Sequence, residues 1–398
     1  SSKYYPLTRA GEGFFADSMT LIPAIPSKEG VTKEDLVNQA VDAERNDIMM
    51  LRLPEGYGRA QELAEASEWR APELNNKPIT LVDGIDYNYL TSVAVGQDGN
   101  IVLTKSSGVF VYLDPANGVD SNTGMAAGQP VQTLEEALQV LAKAQAEGLL
   151  KEPVIYLKSG LELTGDQTLD QEGVILQRYP AYKGALLKVK SGTLTLKKIT
   201  LDGSSTKEAK AEAPLVVVNK GAALHVEDGA VVQNNTNTYT NIASNGGESK
   251  YEGGGIWNAG TMTMTGGTIQ GNSAACGSGV FTQGAFEMTG GTITGNHGAG
   301  KFKENTIPSS VNNAGGGVFI GYSSGRMDMS GGIISGNTAD MGGGISVGNG
   351  DAGWFRGASL SMTGGTIEGN TATNTSAYQN SYAGGGGIYI QAGCKAVI

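Results

Sequence analysis

Cysteine, histidine and charge are all scarce in this chain. Of 398 residues only Cys276 and Cys394 are cysteine and only His225 and His297 are histidine. Neither pair has metal-ligand or disulfide-framework spacing. A zinc cluster, a disulfide scaffold and a Ser/His/Asp relay are therefore excluded, and both histidines read as structural. No run of 18 apolar residues occurs, so no helix spans a bilayer. The opening segment from Ser1 to Ala10 has no leader-peptide core, so a leader, if there was one, is expected to be already removed. Charged residues make up 17% of the chain and the net charge is −11, which argues against a nucleic-acid or anionic-membrane partner. No acidic cluster has the spacing of a calcium loop, and no glycine-rich phrase carries a phosphate-loop lysine between a strand and a helix. No metal or other cofactor is expected.

Glycine, in contrast, is abundant at 61 residues, and it is periodic. One phrase recurs from Thr261 (TMTMTGGTIQGNSA), Ala285 (AFEMTGGTITGNHG), Arg326 (RMDMSGGIISGNTA) and Ser359 (SLSMTGGTIEGNTA). A second phrase interleaves with it: GGGIWN, GSGVFT, GGGVFI, GGGISV and GGGIYI. Ile256 to Val280 and Met262 to Phe286 are each 24 residues, the minimum coil length, and longer gaps are coils with inserted loops. Apolar residues fall at every second position, Met262 and Met264, Phe286 and Met288, Met327 and Met329, Leu360 and Met362. A period of two with Gly-Gly pairs excludes helical coils. The asparagines Asn272, Asn296, Asn337 and Asn370 recur once per coil and are expected to stack, amide to amide and amide to turn backbone. These features point to an all-β, right-handed parallel β-helix, a solenoid in which each coil buries its apolar face against its neighbours, with a repetitive β-sandwich array as the second reading.

Residues 1–108 differ in kind and read as an N-terminal mixed α/β extension. Helices are expected from Thr32 to Arg45 and from Gly58 to Trp69, then strands in ITLVDG, TSVAVGQDGNIVLT and VFVYLD, with Asp98-Gly99 as a hairpin turn. The solenoid is expected over 109–398, opening with a capping helix. There Thr133 and Glu136 form a capping box, Leu134, Leu138 and Leu141 form an apolar stripe, and Gly148 ends it. Such a helix can cover strand edges that a terminal coil would expose. Because Ile398 falls inside a coil, a C-terminal continuation or a partner chain is expected to cap that edge.

The run VFVYLDPANGVDSNTGMAAGQPVQTLEEALQVLAKA, with its Asp114-Pro115 strand end, Asn-Gly turn, Asp-Ser-Asn-Thr-Gly loop and helix, resembles the first coil of the pectate-lyase-like β-helix superfamily. From KITLDGSS through GGGIWN the chain resembles secreted or wall-anchored β-helix proteins of gut Gram-positive bacteria. Its layout is similar to that of the lacto-N-biosidase family of glycoside hydrolases, where an N-terminal region precedes a catalytic β-helix. The resemblance covers about residues 110–398. It implies a secreted or cell-wall-attached, extracellular protein acting on host or milk oligosaccharides; the family's catalytic aspartates have no counterpart placed by motif.

The residues themselves suggest where a sugar would bind. Beside the inward Ile256, Val280, Val318, Ile345 and Ile388, the next positions read Trp257, Phe281, Phe319, Ser346 and Tyr389. Either this row is an exposed aromatic platform for sugar rings, or inserted loops fold over it as a satellite core. Insertions at 234–252, 298–314 and 371–383 precede these strands, and a loop with Trp354 and Arg356 follows one of them. Tyr322 joins the ring-bearing candidates, and Ser346 would leave room for a ligand. Glycoside hydrolysis needs two carboxylates. One candidate pair is Asp340 and Asp351, flanking the Ser346 strand. The other is Glu287 and Asp328, at equivalent outward positions of successive coils but on a different face from the rings. Three function classes follow: a hydrolase using such a pair on an oligosaccharide or glycoprotein glycan, a non-catalytic adhesin, and a stalk.

Overall fold

The computed structural model describes residues 7–8, 20–21, 47–53, 55–66, 68–69, 73–74, 77–78, 91–96, 99–105, 109–146, 148, 150–204, 210–238, 252–299, 313–348, 357–373 and 384–398. It resolves into two compact units, one of residues 1–113 and 117–153, the other of residues 114–116 and 154–398.

In the first unit a four-stranded sheet runs in the order Leu7–Thr8, Asp47–Arg52, Ile101–Lys105, Thr91–Val95. The expected hairpin is present: Val95 pairs antiparallel with Ile101, and Gly99 takes φ +77°, which glycine adopts without steric cost. Helix α1 (Ala60–Ala66) is shorter than the expected Gly58–Trp69, because Glu68–Trp69 pairs parallel with Thr20–Leu21 and the sheet ladder takes that backbone. Leu63 and Ala64 of α1 join Leu53 and Ile101 in a small core. The expected helix from Thr32 to Arg45 and the strand ITLVDG lie outside the described residues. Helix α2 (Leu134–Ala146) follows, burying Ala137, Val140, Leu141 and Ala144. That stripe is rotated from the one predicted, with Leu134 and Leu138 half-buried. Only half of the capping box forms. The Glu136 N–H donates to Thr133 Oγ1 at 3.3 Å, but the Thr133 N–H donates to Asp120 Oδ1 at 2.8 Å. Asp120 also accepts from the Gln132 N–H and the Thr133 hydroxyl. Desolvation raises the Asp120 carboxyl, yet these hydrogen bonds outweigh it and hold its pKa below the ordinary value.

The second unit is the parallel β-helix. The coils are built on three long sheets, with a short fourth one formed by Ser273–Ala274, His297–Gly298, Thr338–Ala339 and Thr371–Ala372. Sheet A contains Ile175–Arg178, Thr200–Asp202, Val231–Gln233, Thr268–Gln270, Thr292–Thr294, Ile333–Ser335 and Thr366–Glu368. Sheet B stacks Leu161–Leu163, Leu187–Val189, Val216–Val218, Ile256–Asn258, Val280–Thr282, Val318–Ile320, Ile345–Val347 and Ile388–Ile390. Sheet C runs from Gln167–Asp170 through Thr261–Met264, Ala285–Met288 and Arg326–Met329 to Lys395–Val397. All pairings are parallel and in register, so Met262 sits on Phe286 and Ile256 on Val280, as the 24-residue period requires. Met262, Met264, Phe286, Met288, Met327 and Met329 are buried, while Glu287, Arg326 and Asp328 between them are exposed.

Two sequence signals turn out to be one device. The Nδ2 of Asn272 donates to Asn296 Oδ1 (3.1 Å), that of Asn296 to Asn337 Oδ1 (2.9 Å) and that of Asn337 to Asn370 Oδ1 (2.9 Å). Each also reaches a strand carbonyl of an earlier coil, at Val232, Ile269 and Ile293. The last glycine of each GGG or GSG phrase makes room for this column. A Cβ on Gly279 would stand 2.5 Å from Gly317 O and 3.1 Å from Asn296 Nδ2; on Gly317 it would stand 2.6 Å from Gly344 O and 3.1 Å from Asn337 Nδ2. At the column's lower end Asn235 donates its N–H to Asn272 Oδ1 (3.2 Å), and the equivalent position of the coil below is Ser204. The buried Arg178 fills that gap, donating to Asn235 Oδ1 and to Gly184 O. Burial pushes its guanidinium down to about 10, against the opposing pull of Tyr182 and Asp202.

Candidate functional site

Sheet B differs from the other two in one respect: three consecutive residues are buried in each of Val216–Val218, Ile256–Asn258, Val280–Thr282, Val318–Ile320 and Ile345–Val347. Both of its faces are covered. On the outer face Val217, Trp257, Phe281, Phe319, Ser346 and Tyr389 stand in register, one per coil. The Phe281 and Phe319 rings stack at 5.2 Å and 14°, with Tyr322 edge-on to Phe281 at 6.1 Å. Cys276, Ala314 and Met341, bridged to one another in the turns that lead into these strands, complete the cluster.

The exposed aromatic platform is thereby corrected. Phe281 and Phe319 are 0% exposed and Trp257 is 6% exposed, so they form the satellite core that was its alternative. Tyr322 and Tyr389 are half-buried against it. Burying each Phe ring contributes about 1.5–3 kcal/mol, reason enough for the row without a ligand. Nor does Ser346 leave room for one, because it is fully buried with its hydroxyl donating to Gly348 O at 2.7 Å.

The carboxylates separate into two situations. Asp340 is 5% exposed; its Oδ2 accepts from Asn313 Nδ2 (2.9 Å) and its Oδ1 from Thr373 Oγ1 (2.8 Å). It ties three successive coils together, an occupation that leaves neither oxygen turned to a substrate. Asp351, Trp354 and Arg356 lie outside the described residues, and with them the expected Asp340–Asp351 pairing. Glu287 and Asp328 are direct register partners on sheet C, both exposed, between Thr263 and Ser361. In-register strands are about 4.8 Å apart, so these carboxylates are neighbours, on an open sheet and away from the rings.

One surface escaped the sequence reading. On the outer face of sheet A, Gln177, Asp202, Gln233, Gln270, Thr294 and Ser335 form a row, half-exposed throughout. Hydrogen bonds between coils hold it in place. Gln270 Nε2 donates to Gln233 Oε1 (2.8 Å), Gln233 Nε2 to Asp202 Oδ2 (2.8 Å), and Gln177 Nε2 to Ser204 Oγ (2.9 Å). A parallel row two residues earlier is methyl-bearing: Ile175, Thr200, Val231, Thr268, Thr292 and Ile333. The signal was present in TLD, VVQ and TIQ, where a polar residue closes successive strands of one sheet, but the first two of these strands lie outside the two recurring phrases. Among the described residues, no group of three or more His, Cys, Asp or Glu could hold a metal ion, and no helix is long and apolar enough to cross a membrane. Comparison with protein-family models, with curated proteins and with solved structures finds no match to this chain.

Proposed function

We propose that this chain is an extracellular, non-catalytic glycan-binding protein, a surface adhesin, with sheet A of its β-helix as the recognition face. The observation that carries the reading is the in-register row Gln177, Asp202, Gln233, Gln270 beside the methyl-bearing row. Carboxamides and a carboxylate offer donors and acceptors to sugar hydroxyls, and neighbouring methyls accept the apolar C–H faces of the ring. Bonds between coils hold the amides in position, which lowers the ordering cost of binding. The extracellular setting is supported by the resemblance to secreted β-helix proteins. Binding is tested on an array of milk and mucin oligosaccharides: retention of a defined glycan, lost in Gln233→Ala and Gln270→Ala at unchanged melting temperature, is the expected result. Retention that survives both changes would remove sheet A from the reading, and retention of no glycan would remove the reading itself.

A second reading is favoured by Glu287 and Asp328, direct register partners on one face. It is a retaining glycoside hydrolase of lacto-N-biosidase type, in which carboxyl groups about 5–5.5 Å apart act as acid and nucleophile. Release of a defined sugar that disappears in both Glu287→Gln and Asp328→Asn would establish it in place of the adhesin.

A further inference from the structure

The turn from Gln391 to Cys394 brings together a carboxamide and a thiol that neither reading uses. The Cys394 N–H donates to Gln391 O at 3.0 Å and Gly393 takes φ +86°, so the turn is closed, with residues 391 and 394 at its two ends. Both side chains lean over Gly348 of the preceding coil. A Cβ placed on Gly348 would stand 2.9 Å from Cys394 Sγ and closer still to Gln391 Oε1, so the two functional groups converge on one point that only glycine leaves vacant. Gln391 is 5% exposed and Cys394 is half-buried. The backbone N–H groups of Gly357 and Ala358 point at the Cys394 sulfur. No other described cysteine has this setting, since Cys276 lies in the satellite core.

We infer that Gln391 and Cys394 close an internal thioester, a covalent handle for primary amines. The Cys394 sulfur adds to Gln391 Cδ, the C–N bond of the carboxamide breaks, and the nitrogen leaves with the thiol proton as ammonia. No oxidant or reductant is involved. An amide is a poor acyl donor, and its reaction with a thiol depends on enforced proximity; groups held in one turn reach effective molarities of about 10⁵–10⁸ M in favourable cases. Gly357 and Ala358 supply N–H donors for the charge that develops at sulfur. Burial pushes the Cys394 thiol up more than these donors lower it, which makes the sulfur a poorer leaving group and protects the closed thioester from water. An incoming amine then attacks Cδ, an amide forms, the C–S bond breaks, and the Cys394 thiol is regenerated.

Intact-mass spectrometry of the full chain in neutral, amine-free buffer tests this. The expected mass is one ammonia below that of the sequence. Methylamine should then add its own mass and uncover one more maleimide-reactive thiol, with N-methylglutamine read at position 391 by peptide sequencing. Cys394→Ser and Gln391→Ala should each hold the full sequence mass and ignore methylamine, at an unchanged melting temperature. A wild-type chain at its sequence mass and inert to methylamine would overturn the inference. So would an ammonia loss that persists in Cys394→Ser, which would belong to succinimide at an Asn-Gly pair such as Asn117-Gly118.

Discussion

The side-chain nitrogen of Asn296 donates to Asn337 Oδ1 at 2.9 Å, and the backbone N–H of Asn296 donates to the same oxygen at 3.0 Å. One carbonyl oxygen thus closes two donors of the coil below, and repetition of this unit seals the corner of the solenoid. Asn296 itself is fully buried. Its replacement by alanine strips partners from the Asn272 amide and from Ile269 O at once. Asn296→Ala should destabilise the second unit by about 3 kcal/mol, read from chemical denaturation.

Glycines beside the asparagine column and glycines of the turn should behave differently. Gly279→Ala drives a methyl into Gly317 O and should cost more than 2 kcal/mol, roughly the price of an overpacked core. Gly295→Ala meets nothing within 4 Å and carries only the strain of φ +60°, about 1 kcal/mol. Paired thermal melts of the two variants check the order.

The satellite core predicts that Phe319→Ala costs about 3–5 kcal/mol. Trp257 adds an optical readout. Its ring is buried and its Nε1 has no hydrogen-bond partner among the described residues, so its emission should be blue-shifted and move to the red on unfolding. Trp257→Phe removes no hydrogen bond and should be far milder than Phe319→Ala.

Asp120 carries the acid sensitivity of α2. In the unfolded chain its carboxyl ionises near its ordinary 3.8, and in the folded chain below that. Its capping contribution is therefore complete above pH 3.8 and fades as the pH falls through the lower folded value. Asp120→Ala should speed amide hydrogen exchange across residues 134–146 at pH 7. The difference from wild type should shrink in acid, and an equal difference at both pH values would count against the cap.

Sequence by itself determined the coil. A 24-residue interval, methionines at every second position and one asparagine per repeat admit only stacked parallel strands, and the Met262–Phe286 register and the Asn272–Asn370 column follow from those spacings alone. Helix α2 was legible for the same local reason, although Asp120, 13 residues upstream of Thr133, took half of its capping box. What only the tertiary structure decided is what covers each outer face. A strand such as VFT or IWN announces its inward residue by period, yet its outward ring is a platform or a core according to segments distant along the chain. Adjacent apolar residues, Ile256-Trp257, Val280-Phe281 and Val318-Phe319, rather than an alternation, were the sign that sheet B is covered on both sides. The fate of a carboxylate is likewise nonlocal. Asp340 and Asp328 are both lone acids in the text, but Asn313 and Thr373 from neighbouring coils close around the first and leave the second in water.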